Sequence, residues 1–97
     1  MATNNSSTHT PIPELSRMHL ERFWARVTIG SEDECWPWVG TLSPTRYGRF
    51  CIGYQEFPAH RLAYFISTGQ DPGPLCVCHH CDNPPCCNRA HLFAATY

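Results

Sequence analysis

The stretch whose reading decides the fold is CVCHHCDNPPCCNRAHL, residues 76–92, in which five cysteines and three histidines stand among Asp82, Asn83 and Asn88. Zinc takes four tetrahedral ligands from thiolate sulfur and imidazole nitrogen, and turn-forming residues between the ligands let a chain wrap round the ion. Cys81, Cys86 and His91 are spaced five apart, with Pro84 and Pro85 stiffening the first loop. That spacing suits three ligands of one site, and the fourth must come from elsewhere. Cys35 is the choice, because it opens the tryptophan-rich CWPW and would pin the amino-terminal part of the chain to the cluster. Cys76 and Cys78 compete with it.

A chain of 97 residues is long enough for one domain and can bury only a modest core. Scaffolds of this size are commonly stapled by disulfides or by a metal. The amino terminus, MATNNSSTHTPIP, has no basic start, no apolar run and no cleavage pattern, so nothing marks it for export, and no stretch is long enough to span a membrane. The expected location is therefore intracellular, in the cytoplasm. There, cysteine clusters bind metal more often than they pair, and an odd count of seven also argues against full pairing. A structural zinc can contribute on the order of 10 kcal/mol to folding. Cys51, inside an alternating strand, reads as a small buried hydrophobe; Cys76 and Cys87 stay unassigned. A secreted, disulfide-rich domain is the contrary reading.

The formal charge is -1, and all seven basic residues are arginines. Five of the eight acids precede Cys35, which leaves the rest of the chain slightly basic. Arginine grips phosphate bidentately, although its exclusive use over lysine fits a bias in base composition equally well. Arg46 and Arg49, in or beside a predicted ribbon, are the candidates for contact with nucleic acid.

Residues 1–13 are polar and are expected to form a disordered tail, leaving 14–97 as one domain. Leu15, Met18, Phe23, Trp24 and Val27 fall at helical spacing between Glu14 and Val27. CWPWVG, a Ser-Pro turn and the alternating residues 47–54 predict a hairpin or three-stranded ribbon over 36–54. Pro58 and Gly69 bracket a second helix with Leu62, Ala63, Phe65 and Ile66 on its buried face. LCVCH and HLFA read as short strands either side of the cluster. The predicted class is α+β, stabilised by zinc. Trp24, Trp36, Trp38, Tyr47, Phe50 and Tyr54 read as packing residues; His60 either serves a site or packs on its helix; His9 and His19 are incidental.

His79, one residue, Cys81, four residues, Cys86, Asn88 and then His91-Leu92 resembles the HNH, or His-Me finger (ββα-metal), endonucleases of the His-Cys box branch. The upstream CWPW, YGRF and AHRLAY resemble the phage and mobile-element members, and the likeness runs over residues 22–96. The resemblance implies that His79 is the general base, with His80 as the alternative. It implies a structural zinc on Cys35, Cys81, Cys86 and His91, an Asn88 that braces the loop aiming the base, and an Arg61 that contacts the scissile phosphate. The ribbon at 36–54 would face double-stranded DNA, and a palindromic target would call for a second copy of the chain.

The implied reaction is phosphodiester hydrolysis: a neutral imidazole takes a proton from an attacking water, while a magnesium-type cation offsets charge on the phosphate and leaving oxygen. Two departures from the family pattern stand out. Cys78 occupies a position often held by an acidic metal ligand, and the chain ends before the helix that completes the ββα unit, as a fragment or a degenerate copy would. The reading is thus a metal-dependent DNA endonuclease, with a non-catalytic zinc-stabilised module for binding nucleic acid or protein as its alternative.

Overall fold

The computed structural model of the chain describes residues 11–96. Most of the expected tail, with His9, lies outside the described residues. Its inner end is anchored: the Ile12 amide donates to Asp71 Oδ2 at 2.9 Å, and the Ile12 side chain packs against the core.

Helix α1, Arg17–Trp24, is shorter than the predicted 14–27 because both ends have other partners. Ser16 caps it by accepting from the His19 amide, while His19 Nδ1 accepts from the Ser16 amide, a capping box with histidine in the place of glutamate. Past Trp24 the chain bends so that Val27 bridges Trp38. Phe23 is the residue α1 buries, edge-on to Trp24 and Phe50 and tilted against Trp38, with centroids 4.9–5.6 Å apart.

The predicted strand at 47–54 is instead a hairpin. Strands β1, Arg49–Ile52, and β2, Gln55–Pro58, pair antiparallel with Ile52 opposite Gln55, so Gly53 and Tyr54 form a two-residue turn. Glycine at the first turn position, φ 63°, suits such a hairpin. The phase of the strand overturns two expectations. Phe50 points inward and Cys51 outward, so Cys51 is exposed; Tyr54, at the turn, is fully exposed. Upstream, in place of a third strand, residues 27–48 make isolated bridges at Val27–Trp38, Pro37–Cys86 and Leu42–Gly48. Gly48 is required here: a Cβ on it would lie 2.6 Å from Trp38 Cγ and 2.8 Å from Ala59 Cβ.

Helix α2, Ala59–Thr68, follows with Pro58 as its N-cap and Gly69 in the left-handed conformation as its C-cap, φ 75°, as the sequence predicts. It buries Ala59, His60, Leu62 and Ala63. Strands β3, Cys76–His79, and β4, Leu92–Ala95, form a second antiparallel hairpin that pairs His79 with Leu92, and a 3-10 turn at Arg89–His91 leads into β4. The core joins Phe23, Trp38, Phe50, Phe57, Leu62, Val77 and Leu92, so α2 is the layer between the two hairpins. The fold is α+β, and among the described residues no helix is long and apolar enough to cross a membrane.

Candidate functional site

The long loop of the β3–β4 hairpin, residues 80–91, is held by backbone pairing to the segment after Cys35. Trp38 donates to the Pro85 carbonyl and Cys87 donates to the Trp36 carbonyl, both at 2.8 Å. That short ladder sets Cys35 beside Cys86. Cys35, Cys81, Cys86 and His91 offer ligand atoms within 4.8 Å of one another, and Cys76 and Cys78 stand outside the group. Cys35 Sγ is 3.9 Å and Cys86 Sγ 3.5 Å from His91 Nδ1. A tetrahedral zinc with bonds of about 2.3 Å to sulfur and about 2.0 Å to nitrogen sets that separation near 3.5 Å, so the donor set fits zinc in number, chemistry and spacing.

Electrostatics agree with this. Burial pushes the Cys86 thiol up to about 12, so a thiolate there needs a cation against it. The Asn83 side chain holds the Cys35 thiol below its ordinary value. Cys87, buried beside Cys86, is pushed up to about 12 as well and stays a thiol, weakly bonded to the Pro85 carbonyl. All seven cysteines are unpaired.

Asn88 is fully buried. Its amide donates to the Glu32 and Glu34 carbonyls at 2.8 and 2.7 Å, and its oxygen accepts from the Ala90 amide at 2.9 Å. It thereby clamps the acidic loop that delivers Cys35 onto the loop that carries Cys86 and His91.

His79, at the end of β3, is not in the cysteine cluster. Its Nε2 lies 2.9 Å from the Cys86 carbonyl. A carbonyl only accepts, so this contact places the hydrogen on Nε2 and, in the neutral ring, leaves a lone pair on Nδ1. Burial holds the His79 pKa below the ordinary value, and His91 adds to this, while the Cys86 carbonyl and Asp82 pull the other way; the ring is neutral at pH 7. His80 faces a different environment, exposed and stacked on Phe93 with centroids 4.3 Å apart.

Two rings flank His79 that spacing alone does not reveal. Tyr47 lies 6.0 Å and His60 5.2 Å from it, and 4.8 Å from each other, all within about 30° of parallel. Tyr47 thus packs against His60 and beside His79. His60, 8 % exposed, has its pKa pushed down to about 3, by burial first and then by His79 and Arg61.

Arg61 is half-buried, and its guanidinium donates to the Leu75 and Gly73 carbonyls at 2.7 and 2.8 Å, tying α2 to the turn before β3. Arg46 is exposed in a turn at φ 74°. Arg49 is paired with Glu56 at 3.1 Å on the outer face of the first hairpin.

Residues 57–97, which hold α2, His79 and three of the four clustered ligands, match the HNH endonuclease family. That span is similar to the HNH endonucleases. Among curated proteins, Protein 7.7 of Escherichia phage T7 is 34% identical over 64 residues, 66% of this chain and 49% of that protein. Protein 2.8 of the same phage is 32% identical over 78 residues, 78% of this chain and 52% of that protein. The chain spans about half the length of these relatives. No solved structure matches it. Cys35 lies outside the HNH match and reaches the cluster through the Trp36–Trp38 ladder.

Proposed function

We propose that this chain is a metal-dependent DNA endonuclease that hydrolyses phosphodiester bonds, with His79 as general base. One observation carries the reading: His79 stands apart from the cysteine cluster, its Nε2 bound to the Cys86 carbonyl and its Nδ1 left to act. A loop knit by metal with one neutral imidazole outside it is what proton abstraction from water near pH 7 needs.

Cys35, Cys81, Cys86 and His91 hold a structural zinc, whose contribution is folding free energy and a fixed Cys86 carbonyl for His79. Asn88 braces that arrangement. His79 Nδ1 takes the proton as water attacks phosphorus in line with the leaving oxygen. Arg61, anchored through part of its five-donor fork, keeps a positive charge next to β3 for the scissile phosphate. Arg46 and Arg49 take the neighbouring phosphates of double-stranded DNA. A magnesium-type cation, when bound, offsets charge on the phosphate and leaving oxygen. The expected setting is the cytoplasm of a phage host cell.

The second reading, a zinc-stabilised DNA-binding module without cleavage, is favoured by Cys78, a poor partner for magnesium at the position before His79. Incubating zinc-loaded chain with supercoiled plasmid separates the two. The endonuclease reading expects nicked or linear product in magnesium and none without it. Binding without product leaves only the second reading.

A further inference from the structure

The first hairpin and the turn before it enclose an open pocket of about 380 Å³, lined by Ser43, Thr45, Tyr47, Arg49, Glu56 and His60 among others. Its lining includes the ring pair Tyr47 and His60, the same pair that lies beside His79 of the second hairpin. His60 is more than nine-tenths buried, yet its Nδ1 has no hydrogen-bond partner among the described residues. Buried polar atoms are nearly always satisfied, so an unpartnered and solvent-shielded nitrogen on a residue that lines a pocket is unusual. The rest of the lining is chemically mixed. Tyr47 offers a half-buried ring face, Ser43 and Thr45 bring hydroxyls, and Arg49 and Glu56 bring both signs of charge.

The volume is that of a site for one small molecule, too small to admit a duplex, whose major groove alone is about 12 Å wide. An aromatic ring face with polar groups around it is how proteins hold a single unstacked base. We propose that this pocket receives one unpaired nucleotide of the DNA strand, stacked on Tyr47 and packed against His60, next to the phosphodiester that His79 acts on. This rests on the endonuclease reading and adds to it a preference for strands that are single, bulged or easily unpaired at the cleavage position. Tyr47 and His60 then touch substrate as well as the base, which explains why one ring cluster spans both hairpins.

The test uses the zinc-loaded chain without magnesium, titrated with a short fluorescein-labelled single strand and with the same strand in a blunt duplex, read by anisotropy. The single strand binds more tightly. Tyr47→Ala weakens it about tenfold or more, whereas Tyr47→Phe, which keeps the ring, binds like the parent at equal zinc content. In the unsubstituted chain the His60 imidazole NMR signals move when the single strand is added, which decides the matter should Tyr47→Ala fail to fold. Equal or tighter binding of the duplex overturns the proposal. So does a folded Tyr47→Ala that binds like the parent, or a His60 signal that stays still; in those cases DNA binding and plasmid cleavage survive and the endonuclease reading stands. Binding of neither DNA sinks both.

Discussion

Acid should weaken this fold through His60 in a measurable way. The ring is 8 % exposed and its pKa is pushed from 6.5 down to about 3, by burial first, then by His79 and Arg61, with the Val77 backbone opposing. The unfolded chain accepts this proton near pH 6.5 and the folded chain only near pH 3. Stability is therefore intact above about pH 6.5 and falls as pH drops through that interval, at about 1.4 kcal/mol per pH unit. The whole interval is worth about 5 kcal/mol, and the step from about pH 7 to about pH 5 costs about 2 kcal/mol. Against the 5–15 kcal/mol typical of a small domain, that is a large share.

His79 is held below its ordinary value too, and zinc thiolates also take up protons in acid. The informative quantity is thus a difference between two chains. Urea unfolding of zinc-loaded parent and His60→Phe, each at about pH 7 and about pH 5, should show the parent losing about 2 kcal/mol more than the variant. The His60 ring signals in NMR should keep their neutral shifts throughout this range. Equal losses in the two chains, or a ring that titrates near 6.5, would refute the buried neutral His60 and with it the tight Tyr47–His60–His79 cluster.

Three further outcomes test the scaffold. Cys86→Ser should bind less than one zinc per chain and lose its folded circular dichroism, since the metal carries on the order of 10 kcal/mol of folding; a folded variant with full zinc content would remove Cys86 from the ligand set. Asn88→Ala should lower zinc affinity about 10- to 100-fold, as loss of a positioning contact does. Its cobalt-substituted form should show weaker thiolate charge-transfer absorption, because Cys35 is no longer clamped; unchanged affinity would make the Asn88 contacts irrelevant to the metal. Gly48→Ala should destabilise by about 1–3 kcal/mol in urea, because the new methyl meets Trp38 and Ala59; a neutral result would mean that the Trp38 contact is loose.

The cysteine–histidine cluster is legible in the sequence where its members are local. Cys81, Cys86 and His91 follow from spacing and turn residues, and α2 follows from Pro58 and Gly69. Cys35 is 56 positions from His91, and its choice rested on the tryptophans after it, which do form the ladder to Pro85 and Cys87. What stayed hidden is tertiary. Asn88 reaches carbonyls 54 and 56 positions away, and nothing in NRAH encodes that.

The phase of β1 is ambiguous in the sequence because alternation has two solutions: FCIGY places either Phe50 and Ile52 or Cys51 inside, and packing of Phe50 on Phe23 and Trp38 decides for the former. Strand β2, QEFP, has one apolar residue buried and so leaves no period to detect. Tyr47 and His60 join His79 only because two hairpins meet across α2.

One imidazole, His79, stands outside the cysteine cluster and is proposed to do the chemistry, while another, His91, stands inside it. Measuring zinc content and magnesium-dependent plasmid cleavage side by side in His79→Ala and His91→Ala tests this most directly. His79→Ala should keep its full zinc and cut at least about 100-fold more slowly than the parent, whereas His91→Ala should lose both zinc and structure. A His79→Ala chain that sheds its zinc, or that cuts as fast as the parent, would overturn the separate role of His79.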